Sequence, residues 1–248
     1  MKPKFRRFFS TDNPKAEKAT NYGYLNGINY MSPHKSGGTG NLCPHASAGC
    51  IALCLGEHAG QAAISETVRE SRKRKAEYFM RERKTFMAET FHHIEKLIQT
   101  ADKANLKPVI RLNGSTDIAF EGISVEIDGS TYRNLMEAFP AVQFVDYTKN
   151  PLRFNRTLPP NLHLTFSLSE TNETIARDIL QRGFNVAAVF ANGLPETYLG
   201  RSVINGDLHD LRFLDSQGGF IVGLSPKGNK AKRDQSGFVI REYSNHNA

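Results

Sequence analysis

Short apolar runs recur along this chain, with polar or amphipathic stretches between them. The runs occupy 22–31 (YGYLNGINYM), 109–112 (VIRL), 143–147 (QFVDY), 162–168 (LHLTFSL), 185–190 (NVAAVF), 202–204 (SVI) and 219–224 (GFIVGL), and their length and composition predict strands. Met87, Phe91, Ile94, Ile98 and Ala101 recur three and four apart, the stripe of an amphipathic helix, so one or two long helices are expected over 59–103. Shorter helices are expected from Thr131 (TYRNLMEAF) and from Asn172 (NETIARDILQRG), the second closed by Gly183. Strands separated by helix-sized segments are expected to run parallel, because a parallel neighbour is reached only by a crossover. Seven such strands approach the eight of a (β/α)₈ barrel. The expected fold is therefore α/β and TIM-barrel-like, whether complete, partial or irregular, with an open doubly wound sheet as the alternative.

Composition narrows the class. A chain of 248 residues with 39% hydrophobic and 23% charged residues is ordinary globular material, which excludes disorder, collagen and coiled coil for the chain as a whole. No run approaches the roughly 18 apolar residues of a membrane span, and the first fifteen residues lack the apolar core of a signal peptide. A soluble protein of the cytosol with no membrane partner is expected. Residues 1–20 read as a basic N-terminal arm and 21–248 as one domain. The net charge of +7 is concentrated, with eight Lys or Arg against three Glu in 69–84 and four basic residues in 1–7. A helix of that composition suits a nucleic-acid partner, and suits equally a solvated face interleaved with Glu.

All three cysteines fall within twelve residues, Cys43, Cys50 and Cys54, in a C-x6-C-x3-C pattern inside a loop holding four Gly and two Pro. An odd count in one loop argues against a disulfide framework and towards thiol or metal chemistry. Thiolates are soft ligands for zinc or an iron-sulfur cluster, and the small residues Ala48 and Gly49 leave the backbone thin beside Cys50. Zinc needs a fourth ligand, for which His34, His45 and His58 are near in sequence. Three close thiolates that leave one iron open is also the arrangement of radical S-adenosylmethionine enzymes, whose usual spacing is three and two. The bland alternative is three small buried residues beside Ile51 and Leu53.

Each later apolar run ends in polar, reactive residues, and in parallel α/β folds the C-terminal strand ends share one mouth. Arg111, Lys149 and Lys227 would match anionic groups of a small-molecule ligand there, and Asp117, Asp146, Glu170 and Asp207 would match amines or hydroxyls, with Asn113 and Arg212 in the same motifs. Helix caps, turns and surface ion pairs are the competing roles for single members such as Asp117, Ser169 and Asp210. Arg111 and Asp146 interrupt apolar strands, where an unpaired charge is costly, so they are expected in the site or in a buried network. His92 and His93, adjacent on a helix, read as a surface and a core residue; His163 has no evident partner.

The ordered set NLCPHASAGCIALCLGEHAG, RLNGSTDIAFEG, FVDYTKNPLR, LHLTFSLSETN and NGDLHDLRFLD…GFIVGLSPKG, running from about residue 22 to 240, resembles phage-encoded proteins related to the mycobacteriophage gene product eighty-eight family. The resemblance implies a [4Fe-4S] cluster on a barrel-like α/β scaffold, working in the host cytoplasm, with Cys43, Cys50 and Cys54 as cluster ligands. Arg111, Asn113, Asp117, Asp146, Lys149, Glu170, Asp207 and Arg212 fall in its other motifs. The segment 56–60 (GEHAG) departs from the family's Asn/Thr-containing form and draws attention to His58. The expectation is a cluster enzyme with S-adenosylmethionine as a candidate ligand. The alternatives are a non-catalytic redox or nucleic-acid factor and a zinc-stabilised barrel hydrolase.

Overall fold

A computed structural model describes residues 4–38, 40–58 and 61–243. The first three residues of the expected arm, Thr39 of the cysteine loop, Ala59 and Gly60 at the expected helix start, and 244–248 lie outside the described residues. In chain order the elements are α1 (Pro14–Thr20), β1 (Tyr24–Ile28), α2 (Ala48–Ala52), α3 (Leu55–His58), α4 (Gln61–Ile64), α5 (Glu66–Arg81), α6 (Arg83–Lys103) and β2 (Lys107–Arg111). There follow β3 (Val125–Ile127), β4 (Ser130–Tyr132), α7 (Leu135–Ala138), β5 (Gln143–Thr148), β6 (Leu162–Ser167), α8 (Glu173–Gln181) and β7 (Val186–Phe190). The chain closes with β8 (Thr197–Tyr198), β9 (Arg201–Asn205), β10 (Ile221–Leu224), α9 (Gly228–Lys232) and β11 (Val239–Ile240).

All seven strands read from the apolar runs lie in one sheet of order β1-β2-β5-β6-β7-β10-β9-β8, with β11 paired to β7. Every pairing in it is parallel except β8 with β9. The fold is thus mixed α/β around a mostly parallel central sheet. The ladder does not close: among the described residues β1 pairs with β2 and, through one bridge, with Ser10, and no strand joins it to β8 or β9. Side chains meet across that gap instead, where Tyr22 and Tyr24 touch His209 and Phe213 edge to face and Arg111 pairs with Asp210.

Alternation divides the sheet into two faces. Ile110, Phe144, Leu164, Phe166, Val186 and Phe190 belong to one large apolar core, where α6 packs on β1 and β2 and α8 on β6 and β7. The opposite face carries a smaller cluster of Ala19, Val109, Val145 and Leu211. The basic segment at the N-terminus is pinned from residue 4 onward, since Phe8 and Phe9 are buried and Lys75 donates to the Phe8 carbonyl.

Two helical expectations change in detail. The long helical region is broken at Ser65, whose hydroxyl caps α5, and at Glu82 with φ −129° between α5 and α6. TYRNLMEAF is not one helix: Thr131 and Tyr132 belong to β4, and only Leu135–Ala138 is helical, capped by Asn134. The cause is the Asp128-Gly129 turn, with φ 49° and 81°, a two-residue pair that closes the β3–β4 hairpin ahead of the helix.

Candidate functional site

Because the strands are parallel, their C-terminal ends fall on one edge of the sheet. There a cavity of about 220 Å³ opens between the ends of β2, β5, β6 and β10 and the loop that follows β1. Cys43, Cys50 and Cys54 all border it, and so do Arg111, Asn113, Asp117, Lys149, Asp207 and Lys227. Ile51, Leu53, Leu168 and Val189 supply an apolar lining.

The cysteine loop is held by short-range contacts. Ser47 caps α2 by accepting from the Cys50 amide, and Glu170 at the end of β6 accepts from the Ser47 hydroxyl and the Gly49 amide, both at 2.7 Å. Gly49 has no room for a side chain, since a Cβ would stand 2.5 Å from Ser236 Oγ and 2.9 Å from Phe238 Cβ. Gly56 is equally close to Ser115, at 2.7 Å. These contacts press both cysteine segments against the strand ends. Burial pushes the Cys43 thiol up to about 12, against a lowering hydrogen bond from the His34 amide. It pushes Cys54 up to about 11, against amides of Gly56 and Glu57. The sulfurs lie near enough that Cys43 is raised further by Cys54 and Cys50, and Cys54 by Cys50. Without a metal Cys43 and Cys54 are protonated thiols at neutral pH, and a metal must displace their protons to bind.

Among the described residues no group of three or more His, Cys, Asp or Glu is arranged to hold a metal ion. His34 borders the cavity, whereas His45 and His58 are exposed and do not line it.

The polar residues divide into three sets. Arg111, Lys149, Asp207 and Lys227 reach the cavity directly; Arg111 pairs with Asp210 at 3.1 Å and lies over the Tyr147 ring, and Lys227 pairs with Asp207 at 2.8 Å. Asn113 and Asp117 line the cavity but point their hydrogen bonds into a network behind it. Asn113 donates to Asp146 at 2.6 Å, Asp117 accepts from the Thr148 hydroxyl and the Lys149 amide, and Arg153 stands 3.0 Å from Asp146 and 3.5 Å from Asp117. Asp146 is buried in that network, where desolvation raises its carboxyl to about 6 although Arg153 pulls the other way. Glu170 and Arg212 stand outside the cavity. Glu170 is the clamp of the cysteine loop. Arg212 is fully buried on the inner face of the sheet, 3.1 Å from Asp215 and hydrogen-bonded to His209 Nδ1.

Arg153 and Glu121 are the members that sequence reasoning passed over. Arg153 is 3% exposed and binds Glu121 through two donors at 2.7 and 2.8 Å. The available signal was an arginine in the otherwise apolar turn PLRF after β5.

The remaining histidines and the basic helix find structural roles. His92 is exposed beside Glu95, while His93 is buried and stacks on Phe8. In the basic segment 69–84, Arg69 and Arg72 donate to the carbonyls of Ala62 and Gly56, and Lys75 is buried. That helix therefore turns part of its charge inward. No helix among the described residues is long and apolar enough to cross a membrane.

A profile of the family described as Gene product 88 matches residues 6–242. No curated protein and no solved structure matches the chain.

Proposed function

The chain belongs to the Gene product 88 family, and on that premise we propose that it is a phage-encoded [4Fe-4S] protein whose cluster sits at the rim of a pocket for a small ligand. The observation that carries this reading is that Cys43, Cys50 and Cys54 border the same cavity as Arg111, Lys149, Asp207 and Lys227. The donor set fits a cluster better than a single ion. Three thiols close enough to interact, with amides directed at two of the sulfurs, suit a group in which each thiolate meets its own iron.

Cys43, Cys50 and Cys54 would hold the cluster by three of its irons, leaving the fourth without a ligand from these cysteines. When bound, such a group supplies electron transfer and an iron open to a donor atom of the ligand. The chain's own residues do the rest. Glu170 and Ser47 fix the loop, the apolar lining limits water, and the strand-end cations and Asp207 orient the ligand. S-adenosylmethionine, bearing both an amine and a carboxylate, is a candidate for that ligand. The continuous strand path from β1 to β9 supports a barrel-like scaffold, its open seam bridged by the 207–215 segment, and the host cytoplasm is the proposed site of action.

The test is the iron, acid-labile sulfide and zinc content of anaerobically purified protein with its visible spectrum, beside a Cys50→Ala variant. The expected result is about four iron and four sulfide per chain and a broad band near ~400 nm that the variant loses. Zinc alone, or no metal in either protein, overturns the proposal.

A further inference from the structure

Three cations line the cavity, and their surroundings differ. Arg111 Nη1 lies 3.1 Å from Asp210 Oδ2, and its Nε donates to the Asn113 carbonyl. Lys227 Nζ lies 2.8 Å from Asp207 Oδ1. Lys149 is half-buried, and its Nζ donates to the Ser167 hydroxyl at 3.0 Å with the Phe238 ring 5.4 Å away. Among the described residues no carboxylate stands at ion-pair distance from that ammonium. Asp117, whose carboxylate meets the Lys149 backbone, is committed elsewhere: its two oxygens accept from the Thr148 hydroxyl and the Lys149 backbone amide, and Arg153 lies behind it at 3.5 Å.

Resting on the ligand-pocket reading above, we infer that Lys149 anchors the ligand by an oxyanion, a carboxylate or a phosphate, with Ser167 as its second donor. A half-desolvated ammonium whose side-chain partner is a neutral hydroxyl has lost water without gaining a counter-charge, so an oxyanion placed there gains a charge-assisted hydrogen bond. The Ser167 hydroxyl accepts from Nζ and keeps its own hydrogen to donate to the same oxyanion. Arg111 and Lys227 already face carboxylates, and a ligand anion would have to compete with Asp210 or Asp207 for them. The site is thus uneven in charge: Arg111 and Lys227 each face a carboxylate, while Lys149 at the ends of β5 and β6 faces a neutral hydroxyl.

The experiment is isothermal titration with inorganic phosphate and, separately, with acetate, at constant ionic strength set by sodium chloride. The proteins are wild type, Lys149→Gln, Ser167→Ala and Lys227→Gln, each checked for unchanged far-UV circular dichroism. Saturable binding of at least one anion is expected, weakened at least tenfold in Lys149→Gln, severalfold in Ser167→Ala and less than threefold in Lys227→Gln. Preference for phosphate or for acetate assigns the oxyanion. Unchanged affinity in Lys149→Gln, or no saturable binding of either anion by wild type, overturns the inference. Because the titration needs no metal, its failure is distinct from a failure of the cluster reading, which shows in the iron and sulfide content instead.

Discussion

The two faces of the central sheet are made by the same strands, residue by alternate residue, and they have opposite characters. On β6, Leu162, Leu164 and Phe166 enter the large apolar core, while His163, Thr165 and Ser167 face the other way. On β5 the partition puts Phe144 on the core side and Val145 and Tyr147 opposite. The helix-covered face holds mainly aromatic and aliphatic side chains that need no partner, and its charged member on β5, Asp146, is paired with Arg153. The inner face holds more groups that do, and among the described residues several buried atoms there, Tyr147 Oη, His163 Nε2, Thr165 Oγ1 and Arg212 Nε, have no hydrogen-bond partner. An unpartnered buried polar atom costs about 1–3 kcal/mol. The contrast places the stability of this fold on one face and keeps the charged groups that border the cavity on the other, at the expense of a less settled interior.

Substitutions on the two faces test that division. The largest effect is expected from Phe166→Ala, which empties a fully buried core position and should cost about 3–5 kcal/mol by urea unfolding. A loss below ~1 kcal/mol would mean that the helix-covered face does not dominate. On the inner face, Asp210→Ala strands the mostly buried Arg111, and a cost of about 3 kcal/mol is expected, mainly from the uncompensated charge. Asp210→Ala with Arg111→Met should recover part of it; no recovery would show that the pair is not the source.

The smallest effect depends on pH. Burial, aided by Arg212, lowers His163 to about 4. The unfolded chain binds the proton at about 6.5, so between those values it binds more protons than the folded chain, and stability falls as pH falls through that window. The stabilising contribution is complete above pH ~6.5, and the acid loss is bounded at roughly 3 kcal/mol. Urea unfolding of wild type and His163→Leu at pH 7 and pH 5 should show a steeper acid loss in wild type. Parallel pH profiles would remove His163 as the cause.

Much of the scaffold was legible in the sequence because it is local. Apolar runs located seven strands, and the parallel order followed from the helix-sized segments between them. The β3–β4 hairpin was missed although Asp128-Gly129 is a turn pair, because the following Leu135, Met136 and Ala138 drew the segment into a helical reading. Barrel closure was not legible, since pairing of the first and last strands depends on contacts about 180 residues apart in a 248-residue chain. In the site, residues at strand ends were found, but their roles were not. Glu170 and Asp207 both follow a strand, and nothing in their flanking residues distinguishes a clamp on Ser47 and Gly49 from a counter-ion for Lys227.

The sequence by itself determined the element types, the clustering of three thiols in one glycine-rich loop and the placement of charged residues after strands. These are properties of neighbours along the chain, set by side-chain period and turn chemistry. Only the tertiary structure decided which cations would be neutralised. Arg111 meets Asp210 across 99 residues, Arg153 gathers Glu121, Asp117 and Asp146, and Lys149 is left with a hydroxyl. Charge compensation acts over a few ångströms in space whatever the distance along the chain, so it is settled when the strands align their ends.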